Sequence, residues 1–514
     1  VAIDYIDQAG ALQPFFKYPP TLQGIQQAIE ARKQFATPRQ LLVEQLRLQY
    51  GKLATGKVKQ NLDLLLKENC FTVTTAHQPN LLTGPLYFIY KILHVIRLAD
   101  YFKISLPAYE FVPVYYMGSE DADLDELGHL YLDGSRIDWK TKQKGAVGRM
   151  KVDAEFVRLL DVVEGQLAVQ PHGKEIMATI REIFQVGVRI QDATFQLVNF
   201  LFAEYGLVVL IPDNEALKRS AIEIFKDDLL HQRPSELVEG VIGKIDAVGY
   251  KVQANPRDIN LFYLEEGLRE RIVHEGGEFR VKNTDKRFTE EGLLRELETH
   301  PERFSPNVIL RGIFQETILP NIVFVGGGGE IAYWLQYGEL FSHYRVPYPV
   351  LVLRNSFLVI EQSLLEKLSR AGFGLDDLFL PERELMNRLV ARESKNEVRL
   401  NGSLVQMEQL YETFKKQAGA VDSSLLRHVD ALKVRAFHQL QELEKKMLRA
   451  EKRKYADRQR QIQTIRAKLF PGDGLQERQD NMLYFYGKWG REFIDMLYRE
   501  SLALEQEFVI LAVR

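Results

Sequence analysis

Asn321-Ile-Val-Phe-Val325 is an unbroken apolar run that ends in four glycines, Gly326–Gly329. A strand with no polar alternation has both faces in the core, and a sheet achieves that only when helices cover it on two sides. The chain repeats the pattern. Tyr205-Gly-Leu-Val-Val-Leu-Ile-Pro-Asp213 and Tyr348-Pro-Val-Leu-Val-Leu353 are also short apolar runs bounded by turn residues. Phe71-Thr-Val-Thr-Thr75 and Phe111-Val-Pro-Val-Tyr-Tyr-Met117 add two more β-rich segments, and helical patterns separate them. Buried strands alternating with helices predict an α/β protein with a mostly parallel sheet.

Ligands of such sheets sit at the carboxyl ends of the strands, beside helix N-termini. Three loops stand there. The first carries His77, Gln78, Asn80 and Thr83, then Gly84-Pro85, a turn and helix start. Leu86, Ile89, Tyr90, Leu93, Ile96 and Leu98 recur at helical spacing and predict a helix over 86–102. The second loop is acidic, with Glu120, Asp121, Asp123, Asp125 and Glu126. It matches the first calcium-loop positions, but Glu126 stands where Gly is needed and Leu132 where Glu is needed, so it is not a calcium loop. Its carboxylates remain candidates for an amine substrate or a water-bridged Mg²⁺. The third is the glycine loop, followed by an expected helix over 331–337. No Gly-Lys-Ser/Thr follows, which excludes a P-loop. Gly327-x-Gly329-x-x-Ala332 fits the loose dinucleotide pattern, and Arg354 stands where a 2′-phosphate partner would, so an NADP-dependent oxidoreductase is one alternative.

At 514 residues the chain predicts about three units. Residues 1–380 read as the Rossmann-like core, with insertions at about 129–204 and 232–310. Asp133-Gly134 signals a hairpin inside the first insertion. Residues 381–470 read as a coiled-coil hairpin, with helices over 382–418 and 422–469 joined at Gly419–Asp422. Leu425, Val429, Leu432, Ala436, Leu440, Leu443 and Met447 step by three and four, the narrow seam of a coiled coil. Residues 471–514 read as a helix and a final strand, Phe508–Val513, returning to the core. Glu444–Arg460 carries eight Lys/Arg against three Asp/Glu, which raises a second alternative, a coiled-coil RNA-binding or scaffold protein. No aromatic series accompanies the charge, so the run reads as a wet helix face rather than a single-strand reader.

The net charge of −3 argues against whole-protein attraction to nucleic acid or membrane. One cysteine, Cys70, excludes an internal disulfide and a multi-cysteine metal site, and it reads as a buried bystander. The first residues lack the basic stretch and apolar run of a signal peptide, and no apolar run approaches the ~20 residues that cross a bilayer. The expected location is cytoplasmic.

Taken in order, Thr75-Ala-His-Gln-Pro-Asn80, Thr83-Gly-Pro-Leu-Tyr-Phe-Ile-Tyr-Lys91, Ser119-Glu-Asp-Ala-Asp123, Leu310-Arg-Gly-Ile-Phe-Gln-Glu-Thr-Ile-Leu-Pro320 and Val325-Gly-Gly-Gly-Gly-Glu-Ile-Ala-Tyr-Trp334 form a set. It resembles the bacillithiol biosynthesis cysteine-adding enzymes, a cysteine ligase family, across essentially the whole chain. The resemblance implies a nucleotidyltransferase-like Rossmann core with inserted connecting segments and an antiparallel coiled coil that mediates a homodimer. It implies the last step of bacillithiol synthesis, amide-bond ligation of L-cysteine to the amine of glucosaminyl malate. Amide formation from a carboxylate is uphill in water, so ATP, leaving as ADP or AMP and accompanied by Mg²⁺, is the expected activator. On this reading His77 and Gln78 meet the activated carboxyl, assisted by Asn80, Thr83 and Gly84, while Glu120, Asp121 and Asp123 hold the amine. Gly327, Gly329, Glu330, Gln315 and Trp334 border the substrate, and Arg311 pairs with malate carboxylates. The family's nucleotide site near the coiled coil implies Arg478, Asn481, Tyr484 and Lys488. No metal-binding side-chain cluster is expected.

Overall fold

A computed structural model describes residues 1–394 and 399–514. Two compact units emerge, one of residues 1–358 with 476–510 and the other of 359–475 with 511–514.

The first unit is built on five parallel strands, β1 (Cys70–His77), β2 (Glu110–Met117), β3 (Val208–Leu210), β4 (Asn321–Gly326) and β5 (Val350–Leu353). Their order is β5-β4-β1-β2-β3. The parallel sheet of the Rossmann-like reading is therefore present, and every residue of β3 and β4 is buried, as unbroken apolar runs require. The chain moves outward from β1 through β2 to β3, then crosses back to place β4 on the other side of β1. That reversal makes β1 the switch point where such sheets bind ligands. Register keeps the strand ends level: His77 pairs with Met117, Thr75 with Val325, and Gly326 with Leu353.

The helix after β1 runs Tyr87–Ser105, and twelve of its nineteen residues are buried, so it is a core helix rather than a surface one. The first insertion holds the expected hairpin, His129–Leu132 with Ser135–Asp138, and its Asp133-Gly134 turn takes the positive φ values (46° and 78°) of a tight hairpin loop. The second insertion contributes a separate five-stranded antiparallel sheet, of which Leu261–Glu265 and Leu268–Glu275 matter below. The helix after the glycine loop starts and ends three residues earlier than expected, Gly328–Trp334, and a second, Gly338–His343, follows it.

In the second unit Asn401–Val421 and Leu425–Arg453 are antiparallel helices tied by Lys415–Asp430 (2.7 Å), Lys433–Glu412 (3.1 Å) and Lys433–Glu408. The turn lies at Asp422–Ser424, past Gly419, because Asp422 accepts the Ser424 N–H at 2.7 Å. The helix expected over 382–418 is seen as Glu382–Glu393 and Asn401–Val421, with 395–398 outside the described residues. The helix expected over 422–469 breaks at Lys454-Tyr455. In the basic run Lys445, Lys454 and Arg460 pair with Glu442, Glu451 and Asp457 one turn away, as a solvated helix face does.

Three boundaries differ from expectation. The first chain segment of the compact core ends at 358 rather than 380. The single helix expected within 471–514 is instead Met482–Trp489 and Arg491–Arg499, divided at Gly490, whose φ of 59° no helix continues. The strand Phe508–Val513 lies in a separate two-stranded sheet, not in the central one. Among the described residues no helix is long and apolar enough to cross a membrane.

Candidate active site at the strand ends

The end of β1 is fixed before any ligand is considered. Thr72 and Thr74 donate their hydroxyls to Asn321 Oδ1 (3.1 and 2.8 Å), and Thr75 donates to the Val325 carbonyl (2.8 Å), which locks β1 to β4. The Tyr115 hydroxyl donates to the carbonyls of His77 and Gln78 (3.1 and 3.4 Å). Lys91, 1% exposed, donates to the Ala76 carbonyl (2.6 Å) and pairs with Glu330 (2.7 Å), which also accepts the Gly327 N–H (2.8 Å). Lys91 and Glu330 thus brace the glycine loop against β1. Gly326 is required there, because a Cβ would stand 2.8 Å from the Phe324 ring and 2.9 Å from the Glu330 stem.

Around these braces opens a cleft of about 480 Å³. Its walls include His77, Gln78, Asp121, Arg311, Arg354 and Arg478, with Gly327–Gly329 and Glu330 along one edge. Four arginines face three carboxylates, Asp121, Glu126 and Glu330, and one of those carboxylates is already held by Lys91. A larger cavity, about 980 Å³, lies elsewhere in this unit over Phe15, Phe341 and Tyr348, but its charged groups stand on an exposed rim.

Burial and neighbouring charge set the state of three ionisable groups in the cleft, His77, Asp121 and Arg269. Burial, with Lys91 and Arg354 nearby, holds the His77 imidazolium well below the usual histidine range, so the ring is neutral near pH 7. Its Nε2 is buried without a hydrogen-bond partner among the described residues, while Tyr87 and Phe88 pack against the ring at 5.3 Å. Burial pushes the Asp121 carboxyl up, but Arg311, Arg269 and hydrogen bonds from Gln78 and Ala122 outweigh it, and the group lies below its ordinary value. Arg311 approaches Asp121 at 3.6 Å and Gln78 Nε2 donates to it at 3.3 Å. Arg269 lies over the Phe262 ring at 3.8 Å, and burial lowers its guanidinium to about 10, still charged at neutral pH.

Of the residues singled out from sequence, the cleft gathers His77, Gln78, Asp121, Glu126, Arg311, Gly327–Gly329, Glu330, Arg354 and Arg478. The others lie elsewhere, for identifiable reasons. Glu120 turns the opposite way from Asp121, into a buried ion cluster with Lys218. Asp123 caps a short helix by accepting the Glu126 N–H at 3.0 Å. Asn80, Thr83 and Gly84 belong to a buried loop in which Leu82, Thr83 and Gly84 all have positive φ (45°, 77° and 64°). Gln315 is core, donating to Glu316, which pairs with the buried Arg32 at 2.7 Å. Trp334 stacks on Phe324 with centroids 4.4 Å apart beneath the glycine loop.

The proposed nucleotide set divides as well. Asn481 is a clamp, its Nδ2 donating to the Leu82 and Gly84 carbonyls at 2.9 and 2.7 Å. Lys488 donates to the Tyr484 hydroxyl (2.6 Å) and lies over that ring, and neither residue borders the cleft. Arg354 pairs with Glu477 at 2.6 Å, so its charge is already met and no 2′-phosphate partner stands free there. Arg269, Asn307 and Tyr333 line the cleft without having been singled out. Only Asn307 had a sequence signal, as a helix-capping residue before an apolar run.

Comparison with known proteins gives a consistent result. The family model for the bacillithiol biosynthesis BshC N-terminal Rossmann-like domain matches residues 1–355, and that for the BshC C-terminal coiled-coil domain matches 357–513. A Flavobacterium johnsoniae protein named "Putative cysteine ligase BshC" is 36% identical, with 99% of this chain and 96% of the relative covered. Relatives of the same name from Cytophaga hutchinsonii and Salinibacter ruber are 38% and 28% identical, covering 97% and 86% of this chain and 93% and 82% of their own.

Proposed function

The chain belongs to the bacillithiol biosynthesis BshC family, and from that premise we propose that it ligates L-cysteine to the amine of glucosaminyl malate. The observation that carries the reading is an ionised Asp121 set between Arg311 and Arg269 and beside the neutral His77. A substrate with an amine at one end and two carboxylates at the other finds both complements on one wall. Arg311 and Arg269 bind the malate carboxylates, and the planar guanidinium makes two parallel hydrogen bonds to each. Asp121 accepts hydrogen bonds from the amine, which sheds its ammonium proton to solvent before it attacks, with Gln78 fixing the carboxylate's orientation. His77 Nε2 takes a proton from the amine as nitrogen attacks the cysteine carbonyl; such positioned bases contribute about 10²–10⁴-fold.

The new C–N bond replaces the C–O bond to one oxygen of the cysteine carboxylate. Bound ATP supplies the phosphoryl or adenylyl group that makes that oxygen a leaving group. Arg478 and the backbone N–H groups of Gly328 and Gly329 would hold its phosphates, and the open space where a Gly329 Cβ would stand permits close approach. Among the described residues no trio of His, Cys, Asp or Glu gathers to hold a metal, so magnesium is proposed only as a companion of the nucleotide. A homodimer through the coiled coil is proposed because Val405, Leu410, Phe414, Leu432 and Leu443 stay 41–59% exposed in the single chain.

The test is mass-spectrometric detection of the cysteinyl amide from glucosaminyl malate, cysteine, ATP and Mg²⁺. The wild type is expected to form it and His77→Ala to form it at least about 100-fold more slowly. A folded wild type that makes no amide, or a His77→Ala variant at full rate, overturns the reading.

A further inference from the structure

The polar wall of the cleft leads back to a buried carboxylate that the proposed reaction does not use. Asp228, in the helix Ile222–His231, is fully buried. Its Oδ2 accepts the Asn260 N–H at 2.7 Å and its Oδ1 accepts Asn260 Nδ2 at 3.0 Å. Asn260 passes the contact on: its Oδ1 accepts from Asn307 Nδ2 and its carbonyl from the Asn307 N–H, both at 2.9 Å. Asn307 in turn caps the helix Val308–Ile318, accepting the N–H groups of Ile309 and Leu310 at 2.8 and 3.4 Å. Arg311 lies in the first turn of that helix and its N–H donates to the Asn307 carbonyl. One hydrogen-bonded chain runs from the core to the helix that carries the guanidinium.

No cation stands within ion-pair distance of Asp228 among the described residues; those nearby are committed. On its own helix Lys226 pairs with Glu223 and Glu298, and Asp227 is held by Tyr344 (2.6 Å), His231 (3.3 Å) and His343 (3.6 Å). From the helix Arg233–Ala247, Arg233 pairs with Glu236. From Glu290–Thr299 and the adjoining strand, Glu296 is held by Arg303 (2.6 Å) and Tyr263 (2.7 Å). Burial therefore pushes the Asp228 carboxyl up to about 7, against the two Asn260 hydrogen bonds that favour its charge, and Asp227 adds to the rise. An ionised carboxylate accepts both Asn260 donors. A protonated one turns an O–H toward a donor, and one bond is lost.

We propose that Asp228 is a positioning residue, whose carboxylate, acting through Asn260 and Asn307, sets the start of the Arg311 helix and with it the anion-binding wall. The wall's ligand rests on the function proposed above; the hydrogen-bonded chain does not.

Two quantities then move in opposite directions with pH. The folded carboxyl is raised above its unfolded value, so its contribution to global stability is full in acid and is lost as pH rises through about 7. Order at the helix cap instead grows as the carboxylate ionises. The experiment is amide hydrogen exchange over residues 305–313, corrected for intrinsic rate, beside urea unfolding of the full chain from pH 5.5 to 8.5. Cap protection is expected to rise about 3- to 10-fold through pH 7 in the wild type and stay flat in Asp228→Asn, while wild-type stability falls relative to that variant. Protection that ignores pH, or that falls in step with global stability, overturns the proposal. Should Asp228→Asn not fold, Asn260→Ala cuts the same chain one residue later, and unchanged protection there is equally fatal. L-malate titration separates the two readings: affinity several-fold weaker at pH 6 than at pH 8 supports both. No malate binding beside pH-dependent cap protection sustains Asp228 and counts against the proposed ligand.

Discussion

Two neighbouring residues after β2 face opposite fates. Glu120 enters a closed cluster in which Lys218 Nζ lies between it and Asp213 (3.0 Å from Asp213), and Arg149 grips Asp213 with two hydrogen bonds of 2.6 and 2.7 Å. The Glu302 carbonyl accepts from both cations, and Lys218 is 0% exposed. Asp121 faces the open cleft, where Arg311 stands 3.6 Å away and Arg269 lies beside it without a carboxylate partner among the described residues. The first cluster has two acids for two bases and all are engaged; the second leaves positive charge over. A saturated cluster holds loops together, while an unsaturated one at a strand end is available to a ligand. Burial alone does not separate them.

That contrast can be broken from either side. Lys218→Met should have the largest effect, because it strands Glu120 in the core: removing one partner of a buried pair costs about 3–5 kcal/mol. Urea unfolding checks this, and a loss below about 1 kcal/mol would mean the cluster is not structural. A smaller effect is expected at the strained loop, where Asn481 donates to the Leu82 and Gly84 carbonyls across three consecutive positive-φ residues. Asn481→Ala leaves two buried carbonyls without that donor and should cost about 2 kcal/mol, with faster exchange at residues 81–86. Unchanged exchange there would show that the loop holds its shape without the clamp.

The fold was legible because burial on both faces of a strand leaves a direct trace, as in Asn321–Val325, and helical spacing after Pro85 leaves another. The site was legible only by loop. Strand-end position put His77, Glu120, Asp121 and Asp123 forward together, but which way a side chain leaves a loop depends on partners far along the chain. Lys218, 98 residues beyond Glu120, decides its direction. Arg269 left no trace because in Leu268-Arg-Glu-Arg-Ile272 it is one of three consecutive charges, like those of any half-exposed hairpin strand, and only folding lays it over Phe262 at the cleft. Asn80 and Thr83 look like ligands in sequence because polar loop residues usually are exposed; here the loop is buried instead.

The proposed ligation puts the reacting groups on the Asp121 side of this divide. The direct measurement is kcat/KM for cysteinyl amide formation by Asp121→Asn, made at the same time as its unfolding midpoint. A substitution that keeps the shape and removes the charge should lower kcat/KM by about 10- to 100-fold, a charge-assisted contact of ~1.5–3 kcal/mol, with the midpoint nearly unmoved. A variant that turns over at the wild-type rate, or that loses rate only in proportion to lost folding, would contradict it.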